Sequence, residues 1–168
     1  IEPTIRGMQE DGIEYSGFLF IGLIKVNNEP YVIEYNCRLG DPETEVVIPR
    51  LKSDILDLFD GVATNTLSER DIQFDDRSTA TVMMVSGGYP EDYTKGKQVF
   101  GLSAVTNSLI FHAGTVADGP ATITNGGRVL AVTSYGKNLE IALERSYESL
   151  SKIEFDEAYY RKDIGFDL

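Results

Sequence analysis

Two rhythms of hydrophobic and polar positions divide this chain. From Tyr15 to Val26 the residues are β-formers, apolar on both faces, the pattern of a strand covered on both sides. Asn27-Asn28-Glu29-Pro30 is a turn, and Tyr31 to Asn36 returns as a second strand, so the two form an antiparallel hairpin. Gly17 and Gly22 interrupt the first strand, where a glycine marks a bulge or the close approach of another backbone or a ligand. Residues 1–12 carry the end of a helix closed near Asp11-Gly12. After the hairpin, Asp41 suits an N-cap, Pro42 the first helical position, and Glu43 and Glu45 complement the helix N-terminus. Pro49 keeps that helix short. A further helix begins near Ser53, with Ile55, Leu58, Phe59 and Val62 on one face and Gly61 inside the pattern.

Beyond Ser78 the alternation becomes mostly that of strands. They are expected over 79–86, 98–100, 109–113, 121–124 and 128–134, with a long turn region over 87–96. Asn125-Gly126-Gly127 is read as the turn of a hairpin joining the last two. Asn138 then caps a helix with Leu139, Leu143, Ser146, Tyr147 and Leu150 at helical spacing. Glu140 in its first turn and Lys152 in its last match the helix dipole. The fold class is α+β. Residues 1–66 form one portion, the polar stretch 67–77 a solvated linker, and 78–168 a small, mostly β domain with a C-terminal helix.

Composition narrows the function classes. Hydrophobic content of 42% and charged content of 25% are those of a globular protein. No apolar run approaches the roughly 18 residues of a membrane span, and no basic-then-apolar leader opens the chain. Cys37 is the one cysteine, which fits a reducing compartment such as the cytoplasm. A net charge of −12 argues against broad attraction to nucleic acid, so a polyphosphate ligand needs a local cluster of cations, metal and backbone amides. The chain opens on Ile1 without a methionine and is read as a cut within a longer protein, a processed N-terminus being the alternative.

The chemistry gathers in Val32-Ile33-Glu34-Tyr35-Asn36-Cys37-Arg38-Leu39-Gly40-Asp41-Pro42-Glu43. Strand alternation puts Glu34, Asn36 and Arg38 on one face, with Val32 continuing it and Ile33, Tyr35 and Cys37 opposite. Carboxylate and amide oxygens suit a hard cation such as Mg²⁺, and a guanidinium suits phosphate or carboxylate. Each group also has a plainer reading. Glu34 and Asn36 can be a polar strand end bonded locally, and Arg38 can pair with Asp41 or Glu43. Gly40 to Thr44 can bind an anion through free N–H groups, or Asp41 can serve only as a cap while Pro42 shapes the turn. Arg128 can reach substrate or be solvated, and Arg161 and Lys162 read as a solvated pair. His112 reads as a hydrogen-bonded structural histidine, and Cys37 as a buried thiol.

The same stretch, continued by Leu51-Lys52-Ser53-Asp54, resembles the last metal-binding segment of the phosphoribosylamine–glycine ligase family, within the ATP-grasp superfamily. So do Gly87-Gly88-Tyr89-Pro90, Phe111-His112-Ala113-Gly114-Thr115, Thr124-Asn125-Gly126-Gly127-Arg128-Val129-Leu130 and Tyr160-Arg161-Lys162-Asp163-Ile164-Gly165, in consistent order from about residue 13 onward. The resemblance implies the C-terminal part of an ATP-grasp unit, antiparallel strands plus helices, followed by the family's β-rich domain. It implies ATP, glycine and 5-phosphoribosylamine as substrates and Mg²⁺ or Mn²⁺ as cofactor. Glu34 and Asn36 match the metal ligands. Arg38 is read as the catalytic clamp on the transferring phosphoryl group or the glycine carboxylate. Gly40, Asp41, Pro42 and, by analogy with related ATP-grasp carboxylases, Arg128 are read as substrate-binding. The resemblance places most nucleotide contacts upstream of Ile1, so this piece alone is expected to be inactive and to need the rest of its own chain. Another ATP-grasp carboxylate–amine ligase, or a non-catalytic module of that fold, remains the alternative.

Overall fold

The computed structural model describes residues 1–166. Two compact units divide it: residues 1–44 with 51–73, and residues 45–50 with 74 onward.

In the first unit, helix α1 spans Glu2–Glu10 and closes at Asp11 and at Gly12, whose φ of +66° is left-handed. Strand β1, Phe20–Val26, pairs antiparallel with β2, Glu29–Asn36. The turn is tighter than expected: Val26 faces Glu29, and only Asn27 and Asn28 lie between them, both at positive φ. That is the two-residue hairpin turn whose twist matches its strands, and Asn tolerates it better than most side chains. Residues 15–19 lie outside the strand; Gly17 sits at φ +142° and the Tyr15 hydroxyl donates to the Phe18 carbonyl at 2.6 Å.

The register corrects one face assignment. Gly22 pairs with Glu34 and Leu23 with Val32, so Ile33 is an extra residue on β2. Adjacent residues of β1 point to opposite faces, so Glu34 shares the face of Gly22 and Val32 shares that of Leu23. The expectation that Val32 continues the Glu34 face therefore fails at this bulge. The cover expected on both faces of the first strand is also absent within this unit: Leu23, Ile24 and Val26 are 54%, 51% and 43% exposed. Cys37 is exposed rather than buried and lies beside Tyr15. The Tyr15 hydroxyl titrates above its ordinary value, first through desolvation and then through the neighbouring Cys37. Helix α3, Ile55–Ala63, starts at Asp54, whose carboxylate accepts from the Leu56 N–H at 2.9 Å. Arg70 reaches back to Asp57 and Asp60 at 3.5 and 3.3 Å.

Helix α2 is a single turn, Thr44–Val47, running into a 3-10 turn at Ile48–Arg50. It begins three residues after Asp41, so Asp41 is not its N-cap and Pro42 is not its first residue. The Asp41–Pro42 peptide is cis.

The second unit holds two sheets. One orders β5 (Leu109–His112), β8 (Arg128–Gly136), β3 (Ser78–Ser86) and β9 (Ala158–Tyr159). The other orders β4 (Gln98–Val99), β7 (Ala121–Thr124) and β6 (Thr115–Asp118). β7 pairs with β4 and β6, whereas β8 pairs with β3 and β5. The Asn125-Gly126-Gly127 turn therefore joins two sheets and is not a hairpin tip. The hairpin is β6–β7, which the sequence reading missed together with β9. Helix α4, Leu139–Leu150, opens at Asn138, whose side chain accepts from the Ile141 N–H at 3.0 Å. Lys152 lies past its end and pairs with Glu148 at 2.8 Å. The core is built from Val82, Met84, Val129, Leu130, Val132 and Leu150, each 1% exposed or less. Small polar residues let α4 lie close to the sheet: buried Ser146 donates to the Ala80 carbonyl at 2.9 Å. Thr79 donates to the Val46 carbonyl at 3.0 Å and Tyr135 to that of Pro49, which ties residues 45–50 to this unit.

Candidate functional site

The end of β2 gathers the oxygen donors. Strand pairing puts Phe20, Gly22, Glu34 and Asn36 on one face, and the Asn36 amide donates to Glu34 Oε1 at 3.0 Å. The second Glu34 oxygen and the Asn36 carbonyl oxygen remain as acceptors. This donor set fits a hard divalent cation, because such ions take oxygen ligands and Mg²⁺ combines one or two carboxylates with substrate phosphates. Among the described residues no group of three or more His, Cys, Asp and Glu side chains could hold a metal, so any cation here relies on Glu34, the Asn36 amide and non-protein oxygens. The glycine opposite Glu34 leaves the room its side chain occupies: a Cβ on Gly22 would sit 3.1 Å from Glu34 Cγ.

Past the strand, Arg38 is exposed and donates from Nη1 to the Leu39 carbonyl at 2.9 Å. Gly40 is buried, and the Glu43 side chain fills the space a Cβ would need. Its carbonyl already accepts from Thr44, from Oγ1 at 2.6 Å and from the backbone N–H at 3.0 Å. Asp41 is exposed and Pro42 half-buried. The structure thus brings Glu34 and Asn36 into contact and sets Arg38 two residues on, at the start of a tied turn.

Arg128 belongs to the second unit, at the first position of β8. The turn before it is held from several sides. Buried Ser86 donates from its N–H to the Gly127 carbonyl at 2.8 Å and from Oγ to that of Gly126 at 2.9 Å. Gly114 packs on Gly126, and the Asn125 N–H donates to the Gly114 carbonyl at 2.7 Å. The Tyr89 ring covers Gly127. Arg128 and Tyr89 line a cavity of about 230 Å³ with Val82, Val85, Tyr159 and Arg161. Arg161 also donates to both Asp163 oxygens, at 2.9 and 2.8 Å, so it is ion-paired rather than merely solvated. His112 Nδ1 lies 2.8 Å from Thr115 Oγ1, the local hydrogen bond of a structural histidine. Sequence reading missed the Ser86 and Tyr89 supports, although Gly87-Gly88 and Gly126-Gly127 signalled close backbone approach.

Comparison with known proteins finds two matching family models and a set of relatives. The model described as "Phosphoribosylglycinamide synthetase, C domain" matches residues 79–167, and the one described as "Phosphoribosylglycinamide synthetase, ATP-grasp (A) domain" matches residues 1–44. The phosphoribosylamine–glycine ligase of Chlorobaculum tepidum is 46% identical over 169 residues, covering 98% of this chain and 40% of that protein. The enzyme of the same name from Escherichia coli K12 is 43% identical, covering 99% of this chain and 40% of its own length. A crystal structure of phosphoribosylamine–glycine ligase from Thermotoga maritima superposes with a TM-score of 0.76 at 32% identity, over 95% of this chain and 40% of that one. The chain thus spans about two fifths of the length of these relatives.

Proposed function

The chain belongs to the phosphoribosylglycinamide synthetase family, and from that premise we propose that it is part of an ATP-dependent carbon–nitrogen ligase making glycinamide ribonucleotide in purine biosynthesis. The reaction joins glycine to 5-phosphoribosylamine. A glycine carboxylate oxygen attacks the γ-phosphorus of ATP and ADP leaves, which gives glycyl phosphate. The amine of phosphoribosylamine then attacks the acyl carbon, phosphate leaves, and the amine loses a proton.

The observation that carries this reading is the Glu34–Asn36 pair at the end of β2, with its two oxygen donors on one face. These residues would hold Mg²⁺ or Mn²⁺, which when bound neutralises charge on the phosphates. Arg38 presents a planar fork of donors to the phosphoryl group or the glycine carboxylate. Gly40, Asp41 and Pro42 shape the turn that aims it and border the substrate. Arg128, on its braced turn, contacts the phosphate or ribose of phosphoribosylamine. The exposed apolar faces of β1 and β2 suit cover by further ATP-grasp residues of the longer protein, as the length of the relatives allows. The 168-residue piece alone is inactive in this reading, and the whole protein is cytoplasmic, needing neither nucleic acid nor membrane.

ADP release by the full-length protein tests the assignment. It should require glycine and phosphoribosylamine together; release driven by a different carboxylate and amine would move the protein to another ligase of the superfamily. Turnover by the 168-residue chain alone would overturn the claim that it is a partial site.

A further inference from the structure

We infer that Gly22 is a positioning residue for Glu34, a role that rests on reading Glu34 as an oxygen donor to the divalent cation. Three observations carry it. Gly22 faces Glu34 directly across the β1–β2 ladder, at the point where Ile33 is inserted as an extra residue. A bulge of this kind re-aims the side chains next to it. The Gly22 backbone is not among the glycines at positive φ, so any L-residue could adopt its conformation. Glycine within a strand otherwise weakens it, through chain entropy and the absence of a side chain to pack. What the position does require is space, since a Cβ would lie 3.1 Å from Glu34 Cγ and 3.6 Å from the Glu34 carbonyl.

The point of contact decides the consequence. Cγ is the first side-chain atom beyond Cβ, so Glu34 cannot relieve the crowding by bending its far end. It must turn about χ1, and the carboxylate, further along the same lever, sweeps a larger arc than Cγ does. The Glu34–Asn36 hydrogen bond at 3.0 Å passes that movement to the second donor. Functional groups work within about 0.5 Å of their productive geometry, so a shift of a few tenths of an ångström at Cγ is enough to misplace the oxygens. The small residue on β1 sets where the carboxylate on β2 stands.

The test uses the full-length protein with Mn²⁺ and ADP, with free Mn²⁺ read by its EPR signal and folding followed by melting temperature. Gly22→Ala should weaken Mn²⁺ binding about tenfold and Gly22→Val more, within the 10–100-fold range of changes behind a ligand. Melting temperatures should hold or rise, because Ala and Val suit a strand better than Gly. Glu34→Gln is the separate control on the underlying reading. If Glu34→Gln leaves Mn²⁺ affinity unchanged, Glu34 is not a donor and the inference goes with it. If Glu34→Gln weakens binding while both Gly22 variants bind like the parent, Gly22 does not position Glu34. A fall in melting temperature with unchanged Mn²⁺ affinity would assign Gly22 a purely structural role.

Discussion

Adding one methyl group at Gly127 tests whether the turn before Arg128 is a built support or an ordinary loop. The Gly127 backbone is outside the left-handed region, so alanine carries no conformational strain there. The obstacle is the Tyr89 ring, on which the new Cβ would land. The ring also packs edge-on against Tyr93, with centroids 6.1 Å apart, so displacing it costs that contact. Overpacking of this sort destabilises by about 1–3 kcal/mol. In a Tyr89→Ala background the obstacle is gone, and Gly127→Ala should then be neutral or stabilise by up to ~1 kcal/mol through the lost entropy of the unfolded chain. The double-mutant cycle should therefore show a coupling of at least ~1 kcal/mol. For a chain of this length each kcal/mol is worth about 2–4 °C in melting temperature, measurable by calorimetry on the parent and three variants. Equal effects of Gly127→Ala in the two backgrounds would refute the argument. The ring would then not define the turn, and Arg128 would have no support from it.

Other changes probe separate links. Arg38→Lys in the full-length protein should, on the proposed reading, lower kcat by about 10²–10³ with little change in melting temperature, since Arg38 is exposed and donates to the adjacent Leu39 carbonyl; a parallel loss of both would make it structural. Asn138→Ala removes the side-chain acceptor for the Ile141 N–H and should destabilise α4 by about 1 kcal/mol in urea unfolding, whereas Asn138→Ser should recover most of that. Asp163 is held below its usual 3.8, first by the hydrogen bonds from Arg161. A depressed carboxyl contributes stability above its unfolded value and loses it as the pH falls through the folded one, so the loss lies below pH 3.8. A carboxyl ¹³C titration should place Asp163 in that range and Arg161→Gln should return it toward 3.8, with a small stability change because the pair is exposed; an unmoved titration would mean Arg161 is not the cause.

Elements with local causes were legible in the sequence. Asn138 before a helical stripe, Asn27-Asn28 between β-forming runs and the Val-rich run of β3 each carry their own signal, and each formed close to where it was read. Elements decided by partners were not. The run from Thr115 to Thr124 holds a complete hairpin; β7 formed over the 121–124 expected for it, but its partner β6, four residues long, is too short for a clear alternation. Asn125-Gly126-Gly127 has the composition of a hairpin turn. Its role changed because β8 is taken by β3 and β5, a choice made by strands upstream in the chain and not by the turn. Asp41-Pro42 reads like the first residues of a helix, yet the helix waits until Thr44, where a backbone bond to Gly40 starts it. The expectation of a buried Cys37 rested on alternation continuing past the last residue of β2, where no partner strand exists to enforce it.

The candidate site divides along the same line. That Glu34 and Asn36 share a face follows from a spacing of two on a strand, and no knowledge of the partner is needed. Which other residues share that face does need the partner. Counting back from Glu34 by twos reaches Val32, but Ile33 is inserted at the ladder and reverses the count, so Val32 points away. The site face is consequently shorter than the alternation suggests. It is bounded on β1 by Phe20 and Gly22 instead of being extended on β2 by an apolar neighbour. The bulge therefore does two things at once. It ends the apolar run on the Glu34 face, and it sets the carboxylate over the one residue type that leaves its Cγ room. A glycine in the middle of an apolar strand is visible in any reading of the chain; that it stands opposite the acid is a fact of register.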